Sequence, residues 1–282
     1  MTRSLAGLIG DPVEHSRSPV IQHAAFAYIG MTADYELWHT PAAELEQRIA
    51  FLREPHVLGA NVTLPHKQAV MPFLDSLETG AQQIGAVNTI YKRSGGHLIG
   101  ANTDAPALLA TLREEAHFNP TGQRVVLLGA SGAARASAWS LVDSGIAQLV
   151  VANRTLDHAE QLLADLMDTA DGVDRYQPTL IALALDDPSL NDCIAESQLL
   201  INATAVGWQS GETPLAHPSV HEGILVFDMV YRQTRLLAEA AQQGAPTLNG
   251  LGMLIRQGSL AFTRWTGHKV PFEVMHNALL AV

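Results

Sequence analysis

The chain is short of lysine. Of 17 cationic residues among 282, only Lys67, Lys92 and Lys269 are lysine, and the other fourteen are arginine. Cysteine is nearly absent too: Cys193 stands alone, which excludes an intrachain disulfide and suits a reducing cytoplasm. No apolar run approaches the roughly 18 residues that a bilayer crossing needs. The longest candidates, GILVFDMVY and SQLLINATAVG, are broken by polar residues and read as strands. Positive charge is in deficit overall. A net charge of −11 argues against nucleic acid or an anionic membrane as partner, and any anionic ligand must be met by a local cluster of donors. The opening MTRSLAGLIGDPVEHS has too short an apolar part for a signal peptide and reads as a strand and a turn. Twelve histidines invite a metal. The closest pair, His217 and His221, has helical ligand spacing, but Pro218 and the neighbouring turn residues break the helix, so no metal is expected.

What the chain does have is alternation. A hydrophobic content of 47% over this length supports two domains of ordinary size. SLAGLIG, ADYELWH and LGANVTL read as strands, with SPVIQHAAFAYIG and PAAELEQRIAFLR as helices between them; Pro19 and Pro41 suit first helical turns. Residues 87–101 read as two strands around the turn Arg93-Ser94-Gly95-Gly96, and a helix follows from Asn102. At Gln123 the pattern restarts. The continuous apolar run QRVVLLGA fits a strand covered on both faces. QLVVANR, LLINAT and ILVFDMV are further strands, TLDHAEQLLADLM is a helix, and DTADGVDRYQP is a surface loop. This is the pattern of a doubly wound parallel sheet. After Asn249, GLGMLIRQGSLAFTRWTG and PFEVMHNALLAV are apolar helices beyond that pattern. They are expected to return to the first domain, with a cleft between the two domains.

The segment GASGAAR, residues 129–135, sits where a strand runs into a helix, the place of a dinucleotide turn. Against G-x-G-x-x-G the match is imperfect: Gly129 fits, Ser131 replaces the second glycine and Ala134 the third, while Gly132 offers another close approach. A turn with no ligand fits as well. The next strand end tips the balance. An NAD site commonly carries a carboxylate about 20 residues beyond the turn, whereas this chain has Asn153-Arg154-Thr155. A guanidinium and a hydroxyl suit a 2′-phosphate, favouring NADP, with NAD the weaker alternative.

Four polar clusters mark element ends in the first half: Ser16-Arg17-Ser18-Pro19, Asn61-Val62-Thr63-Leu64-Pro65-His66-Lys67, Ala86-Val87-Asn88-Thr89 and Asn102-Thr103-Asp104. Each has a structural explanation. Ser18 fits an N-cap before Pro19, Asn61, Thr63 and Asn88 fit turns, and Thr103 and Asp104 fit a cap that complements the helix dipole. Lys67 is the exception. A chain that reaches for arginine almost everywhere places there the one cation that can release a proton near neutral pH.

The order of these clusters, together with GASGAAR, NRT, Asn202-Ala203-Thr204, Asp228-Met229-Val230-Tyr231, Gly250-Leu251-Gly252-Met253-Leu254 and Gln257, resembles the shikimate dehydrogenase family over nearly the whole chain. The resemblance implies an N-terminal α/β substrate domain, residues 1–104 completed by the helices of 250–282, and a Rossmann-like NADP domain over 105–249. It implies Lys67 and Asp104 as the catalytic pair and Ser16 and Ser18 as holders of the substrate carboxylate. Asn61, Thr63, Asn88, Tyr231 and Gln257 would line the pocket for the ring hydroxyls. Gly129, Ala130, Ser131, Gly132, Ala133, Asn153, Arg154 and Thr155 would form the dinucleotide site, with Thr204, Met229 and Gly250 on its nicotinamide side. The implied activity is reversible hydride transfer between 3-dehydroshikimate and shikimate, in the cytoplasm, on a small-molecule substrate. Which member of the Lys67–Asp104 pair is the base, and whether the protein is a monomer or a homodimer, stay open.

Two departures from the family pattern bear on the cofactor: Ser131 adds a side chain at the phosphate turn, and His158 stands where a second arginine is common. A quinate/shikimate dehydrogenase with relaxed or NAD preference would use the same pair. A non-catalytic metabolite-binding module would keep the fold without it.

Overall fold

A computed structural model describes residues 3–170 and 178–281. The first half builds strands β1 (Ser4–Gly10), β2 (Ala33–His39), β3 (Val57–Val62), β4 (Ser76–Leu77), β5 (Thr89–Lys92) and β6 (Leu98–Ala101). Among them lie helices α1 (Ser18–Tyr28), α2 (Leu45–Phe51) and α3 (Thr79–Ile84), and α4 (Asp104–Glu114) follows. The six strands form one mixed sheet in the order β2-β1-β3-β5-β6-β4. The β2-β1-β3 side is parallel, while β3, β5 and β6 pair antiparallel, with Lys92 opposite Leu98 across the expected turn.

The second half builds β7 (Arg124–Leu128), α5 (Gly132–Asp143), β8 (Gln148–Asn153), α6 (Leu156–Ala170), β9 (Thr179–Ala184) and α7 (Leu190–Ala195). Then come β10 (Leu199–Asn202), β11 (Leu225–Asp228), α8 (Arg235–Gln242) and β12 (Thr247–Asn249). All pairings in this sheet are parallel, in the order β12-β11-β10-β7-β8-β9. That is the doubly wound order, with its direction reversing between β7 and β10. The chain ends in α9 (Leu251–Thr266) and α10 (Phe272–Leu280). The loop expected at 168–178 begins later than read, because α6 continues to Ala170, and residues 171–177 lie outside the described ones.

The chain forms two compact units, Met1–Ala107 with Leu254–Val282, and Leu108–Met253. The first is built on Ile9, Trp38, Leu52, Val62, Ile90 and Leu98, the second on Val126, Leu128, Val150, Leu200, Val226 and Leu236. Each such side chain contributes about 1.5–3 kcal/mol of apolar transfer.

Three contacts seat α9 in the first unit. Phe262 packs on Phe26 with ring centroids 5.2 Å apart. Arg264 grips Glu78 with Nε and one terminal nitrogen at 3.0 and 2.9 Å. Trp265 donates its indole N–H to Ile90 O at 2.9 Å. The indole passes so close to Gly59 that a Cβ there would lie 2.5 Å from Nε1. No helix among the described residues is long and apolar enough to cross a membrane.

Candidate active site

In the first unit, Asn61 is the last residue but one of β3, β5 begins at Thr89 and β6 leads into α4, so three element ends meet around Asn88. Antiparallel pairing sets Asn61 opposite Thr89 and Thr89 opposite Ala101. The segment after β3 is tied back by its main chain: Thr63 N donates to Ile9 O at 2.8 Å and Val87 N donates to Lys67 O at 2.7 Å. Lys67 is thereby placed beside α4, and its Nζ donates to Asp104 Oδ2 at 2.7 Å. The two residues are 37 positions apart, and their side chains are only 11% and 7% exposed.

Asp104 Oδ1 accepts from Asn88 Nδ2 at 2.8 Å. Asn88 is locked in turn, since its Oδ1 accepts from Thr103 N at 2.7 Å and its Nδ2 also reaches Thr103 Oγ1 at 2.9 Å. Asp104 is not consumed as a helix cap. That work falls to Asn102, whose Oδ1 accepts from Asp104 N at 3.0 Å and Ala105 N at 3.2 Å. The carboxylate is left to the lysine and the amide.

Ser18 differs from expectation as well. It is the first residue of α1, not its cap; Arg17 holds that place. Pro19 carries no N–H to be capped, and the cap-like bond comes from outside the helix, as Ser18 N donates to Ser16 Oγ at 3.2 Å. The Ser16 hydroxyl lies 3.1 Å from Ser18 Oγ, toward which it donates. Two hydroxyls at the start of an eleven-residue helix form a neutral donor pair suited to a carboxylate.

Asn61 is buried, with Oδ1 accepting from Tyr35 Oη at 2.8 Å. Thr63 is half-buried, and its hydroxyl makes no hydrogen bond among the described residues. Gln257 lies on α9 with Nε2 bonded to Leu254 O at 2.8 Å. Hydrogen bonds thus join Asn61, Asn88, Asp104 and Lys67 into one network. Tyr231 belongs to the second unit, half-buried and edge-on to Trp208 at 4.8 Å.

The second unit gathers the residues expected at the dinucleotide site along the carboxyl edge of its parallel sheet. Gly129 follows β7 with φ +106°, and a Cβ there would lie 3.1 Å from Thr204 Cγ2 and 3.2 Å from Ala203 O. Glycine is needed here on both counts. Ala130, Ser131 and Ala133 are half-buried and Gly132 opens α5. Ser131 is the N-cap residue, but its hydroxyl turns away from the helix and donates to Ala203 O at 3.3 Å.

Asn153 ends β8 with Nδ2 on Thr155 O at 2.8 Å. Arg154 and Thr155 are exposed, and Arg154 makes no ion pair among the described residues. Asn202 binds this edge together. Its Oδ1 accepts from Thr204 N and Oγ1 at 3.0 and 2.7 Å, its Nδ2 donates to Asp228 Oδ1 at 3.0 Å, and its carbonyl accepts Met229 N at 3.0 Å. Asp228, fully buried, also accepts from Thr234 Oγ1 at 2.7 Å and Val230 N at 3.0 Å. Burial pushes its carboxyl above the ordinary range, opposed by those donors.

Gly250 presses on Met229; a Cβ there would meet Met229 O at 2.1 Å. A glycine turn, a guanidinium with no ion pair among the described residues and a strand-end edge at the switch point fit a phosphorylated dinucleotide. Thr89, Tyr35, Asn202 and Asp228 are the residues that sequence reasoning left without a role. Asn202 and Asp228 were visible as polar residues ending apolar strands, whereas Tyr35 gave no signal beyond its inward place in β2.

Comparison with known proteins gives a consistent answer along the chain. Residues 8–90 match the family described as shikimate dehydrogenase substrate binding domain, residues 111–209 match shikimate / quinate 5-dehydrogenase, and residues 250–280 match the shikimate 5'-dehydrogenase C-terminal domain. A relative from Methanopyrus kandleri, shikimate dehydrogenase (NADP(+)), is 42% identical, with 98% of this chain and 95% of that protein covered. The structure of the Thermus thermophilus shikimate 5-dehydrogenase in complex with NADP(H) and shikimate superposes with a TM-score of 0.85 at 34% identity, covering 99% of each chain. The quinate dehydrogenase of Corynebacterium glutamicum, solved in complex with NAD, superposes with a TM-score of 0.87 at 29% identity, again covering 99% of each chain.

Proposed function

Because this chain belongs to the shikimate dehydrogenase family, we propose that it is the NADP-dependent oxidoreductase that interconverts 3-dehydroshikimate and shikimate. The observation that carries the catalytic part is the enclosed Lys67–Asp104 pair, with Nζ 2.7 Å from Oδ2. On this reading residues 1–104 with 250–282 bind the substrate and residues 105–249 bind the dinucleotide.

Oxidation of a secondary alcohol removes a hydride from carbon and a proton from oxygen. NADP⁺, when bound, supplies the hydride acceptor. The chain's own task is the proton and the placement of the alcohol. The proton released at the substrate oxygen passes to the Lys67–Asp104 pair; in the reverse direction the pair returns it to the carbonyl oxygen. Asn88 holds Asp104 Oδ1 at 2.8 Å, which leaves Oδ2 for the amine. Arginine would match the charge of Lys67 but not its proton chemistry, since a guanidinium stays protonated.

Ser16 and Ser18 hold the substrate carboxylate in this scheme, without a fixed positive charge. Asn61, Thr63, Asn88, Tyr231 and Gln257 meet the ring and its hydroxyls. Partners of this kind reject analogues, because a missing hydroxyl leaves buried polar groups unpaired. Gly129, Ala130, Ser131, Gly132 and Ala133 carry the pyrophosphate, Asn153, Arg154 and Thr155 the ribose phosphate, and Thr204, Met229 and Gly250 the nicotinamide side.

The test is an absorbance assay of nicotinamide reduction with shikimate and with quinate, each offered NADP and NAD. Shikimate with NADP is expected to give the highest kcat/KM. Faster turnover of quinate with NAD would overturn the assignment in favour of a quinate dehydrogenase. Binding of shikimate without any nicotinamide reduction would overturn catalysis itself.

A further inference from the structure

Tyr35 has no part in the assignments above, yet Asn61 of the proposed substrate cradle is held by it. It is 3% exposed, with its backbone N–H donating to His23 Nε2 at 3.0 Å and its ring centroid 6.1 Å from that of Trp265. Its phenol donates to Asn61 Oδ1 at 2.8 Å. Burial raises the phenol well above the usual range for tyrosine, with Ser18 opposing the shift, so the hydroxyl keeps its proton and remains a donor toward Asn61.

That donor, with the Asn88 carbonyl on the other side, fixes the sense of the Asn61 amide. With Oδ1 turned to Tyr35, Nδ2 points to Asn88 O and Thr89 Oγ1, both at 3.3 Å. Thr89 Oγ1 donates to Asn88 Oδ1 at 3.1 Å, and Asn88 Nδ2 donates to Asp104 Oδ1 at 2.8 Å. Every donor along this path points the same way, toward the carboxylate. Asn61, 4% exposed, uses both amide hydrogens inside the protein, which leaves a lone pair of Oδ1 as its offer to a ligand. A flipped amide would set Oδ1 against Asn88 O, which can only accept, and break the path at its second step.

We propose that Tyr35 is a positioning residue for substrate recognition: by supplying the donor to Asn61 Oδ1, it holds the Asn61 amide, and with it the amide wall beside Asp104, in a single arrangement. The inference rests on the activity proposed above.

The test compares the full-length wild type with Tyr35→Phe, Asn61→Ala and the double variant, reading kcat, KM for shikimate and KM for NADP. Loss of the phenol hydrogen strands a buried carbonyl oxygen, and Tyr35→Phe is expected to raise the shikimate KM about tenfold while the NADP KM stays within about twofold. In the Asn61→Ala background the same change is expected to have an effect below about twofold, because its target is gone. An unchanged shikimate KM, a parallel rise in the NADP KM, or a full effect persisting in the double variant would each overturn the inference. If Tyr35→Phe does not fold, Asn61→Asp reads the same path, since it keeps the acceptor for Tyr35 and loses both N–H donors. A shikimate KM within about twofold of wild type in that variant would equally overturn it. Wild-type protein inactive on shikimate would sink the activity and this inference together; an active wild type with an indifferent Tyr35→Phe would sink this inference alone.

Discussion

Replacing Lys67 by methionine and by arginine separates its charge from its proton. The amine is 2.7 Å from Asp104 Oδ2, with the two side chains 11% and 7% exposed. Methionine keeps most of the stem volume and removes the cation. Asp104 then retains the Asn88 bond on Oδ1 but loses the partner of Oδ2. Breaking a buried pair from one side costs about 3–5 kcal/mol; because the Asn88 donor survives, about 3 kcal/mol is the fitting figure. For domains of this general size that corresponds to a Tm lower by about 6–12 °C. Arginine keeps the charge and is expected to lower Tm by no more than about 4 °C. Turnover separates differently. Positioned proton transfer contributes about 10²–10⁴-fold, and both variants are expected to lose it, while the KM for NADP stays within about twofold because the residues proposed to bind it are elsewhere in the sequence. The assay is kcat at saturating shikimate and NADP beside a thermal melt. Turnover by Lys67→Arg within about tenfold of wild type would refute the proton argument, and an undiminished Tm in Lys67→Met would refute the pairing energy.

Arg154→Ala is expected to raise the KM for NADP at least about tenfold, as a charge-assisted bond is lost, and to leave the KM for NAD nearly unchanged; parallel changes in both would refute the 2′-phosphate role. Gly129→Ala places a Cβ at φ +106°, 3.1 Å from Thr204 Cγ2, and is expected to destabilise by about 1–3 kcal/mol and weaken NADP binding, both measurable by melting with and without cofactor. The Asp75 carboxyl is held down at about 2, first by its hydrogen bond to Arg53 and then by Leu98 N–H. A depressed carboxyl stabilises the fold above its unfolded value, near 3.8, and loses that contribution as pH falls toward 2. Asp75→Asn should therefore flatten the Tm–pH curve in that window, and an identical curve would refute the pairing.

Much of the fold was legible because apolar runs and turn residues agree locally. QRVVLLGA, QLVVANR and LLINAT announced the central strands of the parallel sheet, and Gly95-Gly96 announced the turn between β5 and β6. The shorter pieces were hidden for physical reasons. β4 has two residues and β12 three, so neither shows a period. TLIALA of β9 is apolar yet half-buried at the sheet edge, whereas α8, RLLAEAAQ behind the Thr234 cap whose hydroxyl accepts Leu237 N, carries a helical pattern that was open to reading and was not read. The proposed site residues were legible as polar residues at element ends. Their division of labour was not, because it depends on contacts far apart in the chain: Asn102 rather than Asp104 caps α4, and Arg17 rather than Ser18 precedes α1. Tyr35 illustrates the limit, since an inward tyrosine on a strand looks like core until its oxygen is found against Asn61.

The hydroxyl of Ser131, parked on the carbonyl of Ala203, has a consequence for how such turns are searched for. A scan that counts glycines would discard this loop at its third letter. What an incoming phosphate meets is governed by where the extra atoms are stowed, and here a neighbouring strand end offers them a berth. A small side chain with a local acceptor can therefore stand in for the missing glycine, and a rule that asks for such an acceptor would keep loops that a rule about letters rejects.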